Sequence, residues 1–371
     1  MQINFLLGPA GSGKTQRCLA EIREALIAAP AGAPLLLLAP KQATFQLERQ
    51  LLADPSLHGY TRLHILSFER LARFVLDQLG QPPPPMLDEE GRLMVLRALL
   101  ARRRKDLKLF RASARLTGFA RQLSLALREL QRHLLTPEAL RKLAETAGEL
   151  GGLSLKLQDL ATLLRDYLDW LRAHELQDAD GLLDSVTKVL TAPADGQDFK
   201  FQISNFKFAS LWLDGFAEFT PQELDLLAAV VGHGGRATLA LCLDQEPREN
   251  VSWLSNWSLA GKTFWETRKR LGELAGVNIA VEELKRDPAR SRFTANPILA
   301  HLEKFWPNPE PLVIHDLPLA DPDGPASAPG PRPSRSISAS PPVPTPKPRP
   351  RSPRGRFCAL FKQAGGSATL R

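Results

Sequence analysis

Gly8-Pro9-Ala10-Gly11-Ser12-Gly13-Lys14-Thr15 satisfies the pattern G-x-x-x-x-G-K-[ST] at every position. An apolar run, Ile3 to Leu7, precedes it, and a helix-like stretch, Gln16 to Ala29, follows. That strand–loop–helix order is the context in which the pattern carries chemistry. Glycines let successive backbone N–H groups turn inward around phosphate oxygens, and the start of the helix adds a partial positive charge there. Lys14 is placed to reach the β- and γ-phosphates, and the Thr15 hydroxyl to ligate Mg²⁺. The motif predicts a site for a nucleoside triphosphate, ATP with Mg²⁺, formed by residues 8–15.

The surrounding pattern agrees with that site. Leu35-Leu36-Leu37-Leu38-Ala39 is an apolar run of strand length, followed by Pro40 and a polar helix through Leu51. Leu63-His64-Ile65-Leu66 is a third strand, and Ser67 caps a helix from Phe68 to Leu79 with Phe68, Leu71, Val75 and Leu79 on one face. Such alternation implies parallel strands covered on both sides. The run Gln81-Pro82-Pro83-Pro84-Pro85 breaks it.

From Asp88 to about Leu190 the periodicity is helical. Leu116, Phe119, Leu123, Leu127, Leu130 and Leu134 form one stripe, and Leu157, Leu160, Leu164, Tyr167 and Leu171 a second. The first half of this block is basic: Arg102, Arg103, Arg104 and Lys105, then Lys108, Arg111, Arg115, Arg121, Arg128 and Arg132. These residues read either as solvated faces of amphipathic helices or as a phosphate-contacting surface for single-stranded DNA.

Strand character returns at Ala209-Ser210-Leu211-Trp212-Leu213, which ends on Asp214. Thr220-Pro221-Gln222-Glu223 is a capping box with proline at the first helical position, opening a helix that Gly232 stops after Val231. Ala237 to Leu243 is a further buried strand, and a helical and mixed segment is expected up to about Trp306.

Asp214 has the form of the acidic partner a P-loop needs for Mg²⁺, although a turn or capping aspartate looks the same. In helicases that hydrolyse ATP the next residue is usually Glu, which prepares the attacking water; here it is Gly215, which has no side chain to do so. Glu218 lies three residues on, beyond the strand. About 200 residues separate Lys14 from Asp214, and the helical block accounts for the gap.

Three segments together resemble a known family: Gly8 to Thr15; Leu63-His64-Ile65-Leu66-Ser67-Phe68-Glu69-Arg70-Leu71-Ala72; and Leu213-Asp214-Gly215-Phe216-Ala217-Glu218-Phe219-Thr220-Pro221-Gln222-Glu223. They look like AddB, the B subunit of the bacterial AddAB (RexAB-like) helicase–nuclease, over about residues 1–315. The resemblance implies an α/β fold of the RecA-like, helicase superfamily 1 type, with a large inserted helical domain. On that reading 1–87 and 201–320 are two parts of one P-loop domain, 88–200 is the insertion and 321–371 a tail. It also implies end-processing of DNA double-strand breaks before recombination, a heterodimer with an AddA-type helicase–nuclease subunit, and a degenerate helicase core that handles DNA. The family's full-length members add a second motor-like domain and an iron–sulfur nuclease domain. Neither is expected here; for the nuclease domain, Cys18, Cys242 and Cys358 are too few and too scattered for four cluster ligands. The competing expectations are an unrelated P-loop NTPase or kinase with a helical lid, and an inactive truncated product.

Composition bears on partners chiefly through its distribution. Of the net charge of +8, residues 321–371 contribute +7, from nine Lys/Arg against two Asp, so the remainder is close to neutral. The overall charge is therefore no argument for DNA binding by the folded part. Pro, Ser, Arg, Ala and Gly dominate that tail, which is expected to be disordered, dispensable and of the bias that out-of-frame GC-rich codons yield. Unpaired cysteines and the lack of a membrane-length apolar run or a leader point to the cytoplasm.

Overall fold

Ladder pairing, not helix packing, organises this chain, because six strands form one sheet in which every neighbour is parallel. In chain order they are β1 (Gln2–Gly8), β2 (Leu35–Leu38), β3 (Leu63–Leu66), β4 (Phe208–Leu213), β5 (Gly234–Cys242) and β6 (Asn278–Glu283). Their spatial order is β3-β2-β4-β5-β1-β6. The computed structural model describes residues 1–310 apart from 83, 117, 148–151, 193–205, 248–251, 253, 287–292, 294–295 and 306–309. These belong to one compact unit, Met1–Leu317; the tail expected from Asp321 and the division at 200/201 lie outside the described residues.

Side chains alternate between two cores, as the strand period of two requires. Phe5, Leu7, Leu36, Leu38, Leu211, Leu213, Leu239 and Leu241 face one cluster; Leu6, Leu35, Leu37, Trp212 and Ala240 face the other. Helices α1 (Lys14–Ala28) and α2 (Thr44–Leu52) cover the second face through Cys18, Leu19, Ile22, Leu26, Leu47 and Leu51. The first face is covered by α3 (Phe68–Gln78) and three later helices. Ser67 caps α3 as expected, accepting from the Arg70 backbone N–H, and Phe68, Leu71, Val75 and Leu79 are all buried.

The helical block contains α4 (Glu89–Arg103), α5 (Phe119–Arg132), α6 (Pro137–Thr146), α7 (Gly152–Ala173) and α8 (Ala179–Thr191). Its end returns to the sheet: Leu182, Leu183, Val186 and Leu190 of α8 join the same core as the strands. Its two ends are also laced together, since the Gln177 N–H donates to Pro85 O and the Leu87 N–H to Gln177 O. The Leu116–Leu134 stripe needs correction at both ends. Leu116 follows a short 3₁₀ turn and is 65% exposed, and Leu134 lies past the helix at φ 56°. A helical repeat counted along sequence cannot register where the helix stops.

After β4, α9 (Pro221–Val231) starts on the expected capping box, with reciprocal bonds between Thr220 and Glu223. β5 begins three residues earlier than expected. α10 (Ser258–Gly272) follows, and the segment read as helical and mixed contains β6, a strand paired to β1. β6 is an edge strand whose Ile279 and Val281 are only partly buried, so its apolar signal is weak. α11 (Pro297–Lys304) is the last described helix.

Candidate nucleotide-binding site

All six strands are parallel, so their carboxyl ends share one edge, and the loop Pro9–Gly13 leaves β1 at that edge. Gly11 and Gly13 sit at φ 81° and 91°, which lets the chain curl before α1 begins at Lys14. Ser12 N–H closes a turn on Pro9 O at 3.2 Å. The Lys14 ammonium donates back to Gly8 O at 2.6 Å and Pro9 O at 2.9 Å. Burial lowers its pKa from the ordinary range; the Cys242 thiol and Asp214 carboxylate oppose the shift, and the Arg286 guanidinium adds to it. A lysine desolvated in this way against backbone dipoles gains most from an anion arriving beside it.

The Thr15 hydroxyl donates to Asp214 Oδ2 at 2.6 Å, joining groups 199 residues apart. Asp214 is 7% exposed, and its own N–H extends the ladder to Leu38 O. β4 and β1 are not neighbours; β5 lies between them, and the span is bridged by the side chains at the strand ends. A hydroxyl and a carboxylate presented together next to a half-buried ammonium form a suitable set for Mg²⁺ and phosphate. The Ser12 hydroxyl oxygen is buried against Gly8 without a hydrogen-bond partner among the described residues. The residues present therefore fit a Mg²⁺-bound triphosphate.

Gly215 occupies the position after the aspartate at φ 85°, and a Cβ there would lie 3.2 Å from Pro40 Cδ. A glutamate in this place would be strained and would press on Pro40. Glu218 is exposed on the turn beyond the strand.

Arg286, Glu303 and Trp257 also surround the loop, and none of them was singled out in the sequence. Arg286 follows β6 and donates twice to Ala10 O, at 3.2 and 2.9 Å. A cleft of about 340 Å³ adjoins the loop, lined in part by Pro9, Ala10, Cys242, Asp244, Trp257 and Arg286. The signal available was topological: each of Cys242, Asp244 and Arg286 stands at the carboxyl end of a strand, yet β6 itself was not read.

The basic residues are only partly available. Arg103 forms a two-point pair with Asp166, at 2.6 and 3.1 Å, and Asp166 is 5% exposed. Arg128 and Arg132 pair with Asp180, and Arg128 also with Glu89. Arg102 and Lys105 are exposed, and Arg104 is half-buried. Arg102 and Lys105 thus face solvent, although Arg102 Nη2 also lies 3.9 Å from Asp166, and Arg103 ties α4 to α7.

The family described as ADDB, N-terminal matches residues 5–303. Curated relatives carry the name of the B chain of an ATP-dependent helicase/deoxyribonuclease. The protein is 40% identical over 314 residues to the one from Desulforudis audaxviator (strain MP104C), covering 82% of this chain and 25% of that protein. It is 37% identical over 315 residues to the one from Pelotomaculum thermopropionicum, covering 82% and 26%. It is 33% identical over 313 residues to that of Bacillus subtilis (strain 168), covering 82% and 25%. The chain spans about a quarter of the length of these relatives. The resemblance seen in the three sequence segments is borne out.

Proposed function

This chain belongs to the AddB N-terminal family, and from that membership we propose that it is an ATP-binding, DNA-handling element of a helicase–nuclease that processes double-strand breaks for recombination. Its partner on this reading is an AddA-type subunit, its ligands are Mg²⁺-ATP and DNA, and its compartment is the cytoplasm. Among the described residues, no helix is long and apolar enough to cross a membrane. The observation that carries the nucleotide assignment is the 2.6 Å bond from Thr15 Oγ1 to Asp214 Oδ2. It supports the reading because Thr15 and Asp214, 199 residues apart, are the two residues that would hold Mg²⁺ in such a site.

In this reading the N–H groups of the loop and the Lys14 ammonium hold phosphate oxygens, while Thr15 and Asp214 hold the metal. Bound Mg²⁺ would neutralise charge on the phosphates. The chain supplies binding and orientation but no general base at Gly215, so it holds nucleotide and hydrolyses it poorly. Occupancy, not turnover, is then what the chain contributes to the complex. The test is calorimetric titration of wild type and Lys14→Ala with Mg²⁺-ATP. Loss of the ammonium should weaken binding by at least about tenfold, the equivalent of one hydrogen bond to a charged group; equal affinities would remove the assignment.

A further inference from the structure

One short helix, α11, lies against the phosphate loop. None of the eight residues of α11 is buried, and Ile298, Leu299 and Leu302 are 48%, 40% and 55% exposed. Two charged side chains connect α11 to the loop. Arg286 donates through Nε and Nη2 to Ala10 O and through Nη1 to Glu303 O at 2.9 Å, and its Nη2 lies 3.7 Å from Glu303 Oε1. The Glu303 side chain is 10% exposed. Its Oε1 is 3.3 Å from the point a Cβ on Gly11 would occupy. An in-chain carboxylate is thus held against the glycine turn of the loop, on the element that would receive phosphate.

We propose that α11 is an anionic gate on the P-loop: Glu303, held by Arg286, competes with the triphosphate, and nucleotide entry releases the helix. This rests on the nucleotide reading above. A carboxylate and a triphosphate cannot both sit against the same turn without strong like-charge repulsion. A helix with no buried residue opens locally at small cost, so the carboxylate is displaced rather than the loop distorted. When Glu303 leaves, Arg286 loses its anionic partner at 3.7 Å and becomes a second cation beside Lys14. Nucleotide occupancy is thereby converted into the position of a surface helix, which is a signal another domain or partner chain can read.

The experiment titrates the full 371-residue chain with Mg²⁺-ATP for wild type, Glu303→Gln, Lys14→Ala and the remote control Glu138→Gln. Removing one like charge at this distance should tighten binding by roughly three- to tenfold at low ionic strength, with the gain shrinking in high salt. Glu138→Gln should leave affinity unchanged. Hydrogen exchange on the wild type gives a second readout: amides 297–304 should exchange faster when ATP is bound. Lys14-dependent binding with Glu303→Gln unchanged or weaker would overturn the gate alone, as would slower exchange of α11, which marks a closing lid. Absence of Lys14-dependent binding in any variant would overturn the nucleotide reading and the gate with it.

Discussion

The guanidinium of Arg92 donates to Asp178 Oδ2 at 2.6 Å with both side chains 3% exposed. The same guanidinium reaches Asp180 at 3.2 Å and Gln131 at 2.8 Å, and lies 4.8 Å over the Tyr167 ring, whose hydroxyl also donates to Asp178. Asp178 caps α8 through the Gly181 N–H. One cation therefore joins α4, α5, α7 and the start of α8, the helix that returns the block to the sheet. A buried arginine meets this need because its planar fork satisfies several acceptors at once, which an ammonium cannot.

Breaking this junction should cost the fold dearly. Arg92→Met leaves the buried Asp178 without its cation, while Asp180 keeps Arg128 and Arg132, so urea unfolding should give a loss of about 3–5 kcal/mol, the range for removing one partner of a buried pair. Arg92→Lys retains charge but loses the fork, and should fall between that variant and wild type. A loss below about 1 kcal/mol for Arg92→Met would show that the pair is dispensable.

Restoring the missing carboxylate after Asp214 should not restore hydrolysis. Gly215→Glu places a side chain at φ 85° and against Pro40, and the left-handed region alone costs roughly 1–2 kcal/mol for an ordinary residue. Gly215→Ala should show that stability loss with nucleotide affinity retained. In single-turnover assays with saturating DNA, both wild type and Gly215→Glu should stay below about 1 s⁻¹, the low end of ordinary turnover. A faster, DNA-stimulated rate in the wild type would mean that another residue prepares the water.

DNA binding, measured after deleting residues 321–371 so that their charge does not contribute, should be salt-dependent if the helical block touches phosphates. Three or so contacts lower affinity by roughly tenfold or more between about 50 and 200 mM salt. Arg102→Ala with Lys105→Ala should flatten that slope without affecting stability. Arg103→Ala should destabilise the chain, because it removes the two-point partner of the buried Asp166 and leaves Arg102 at 3.9 Å. An unchanged slope in the Arg102/Lys105 double variant would assign the basic residues to solvated helix faces.

What could be read along the chain was local. Ser67 and Thr220 cap their helices as expected because a cap depends on a side chain and an N–H three residues on. β2 was legible because a strand buried on both faces must be apolar at every position, as Leu35 to Leu38 are. β6 was not, since an edge strand with Ile279 and Val281 partly exposed has too little burial to impose a pattern. Leu116 misled for a related reason: its spacing fits the stripe of α5, but the helix begins at Phe119.

By itself, the order of residues determined the Gly8–Thr15 motif, the α/β class and the family, since each rests on chemistry within a few neighbouring positions. Tertiary structure decided which distant groups meet. Thr15 finds Asp214 only because β5 sets the spacing between β1 and β4, and Arg103 finds Asp166 only because α4 packs on α7. Glu303 comes to rest on Gly11 because β6 pairs with β1 and delivers Arg286 to the same edge. The first of these meetings was expected from the apolar strand that ends on Asp214; the other two depend on strand register and helix docking, which are settled by burial summed over the whole sheet.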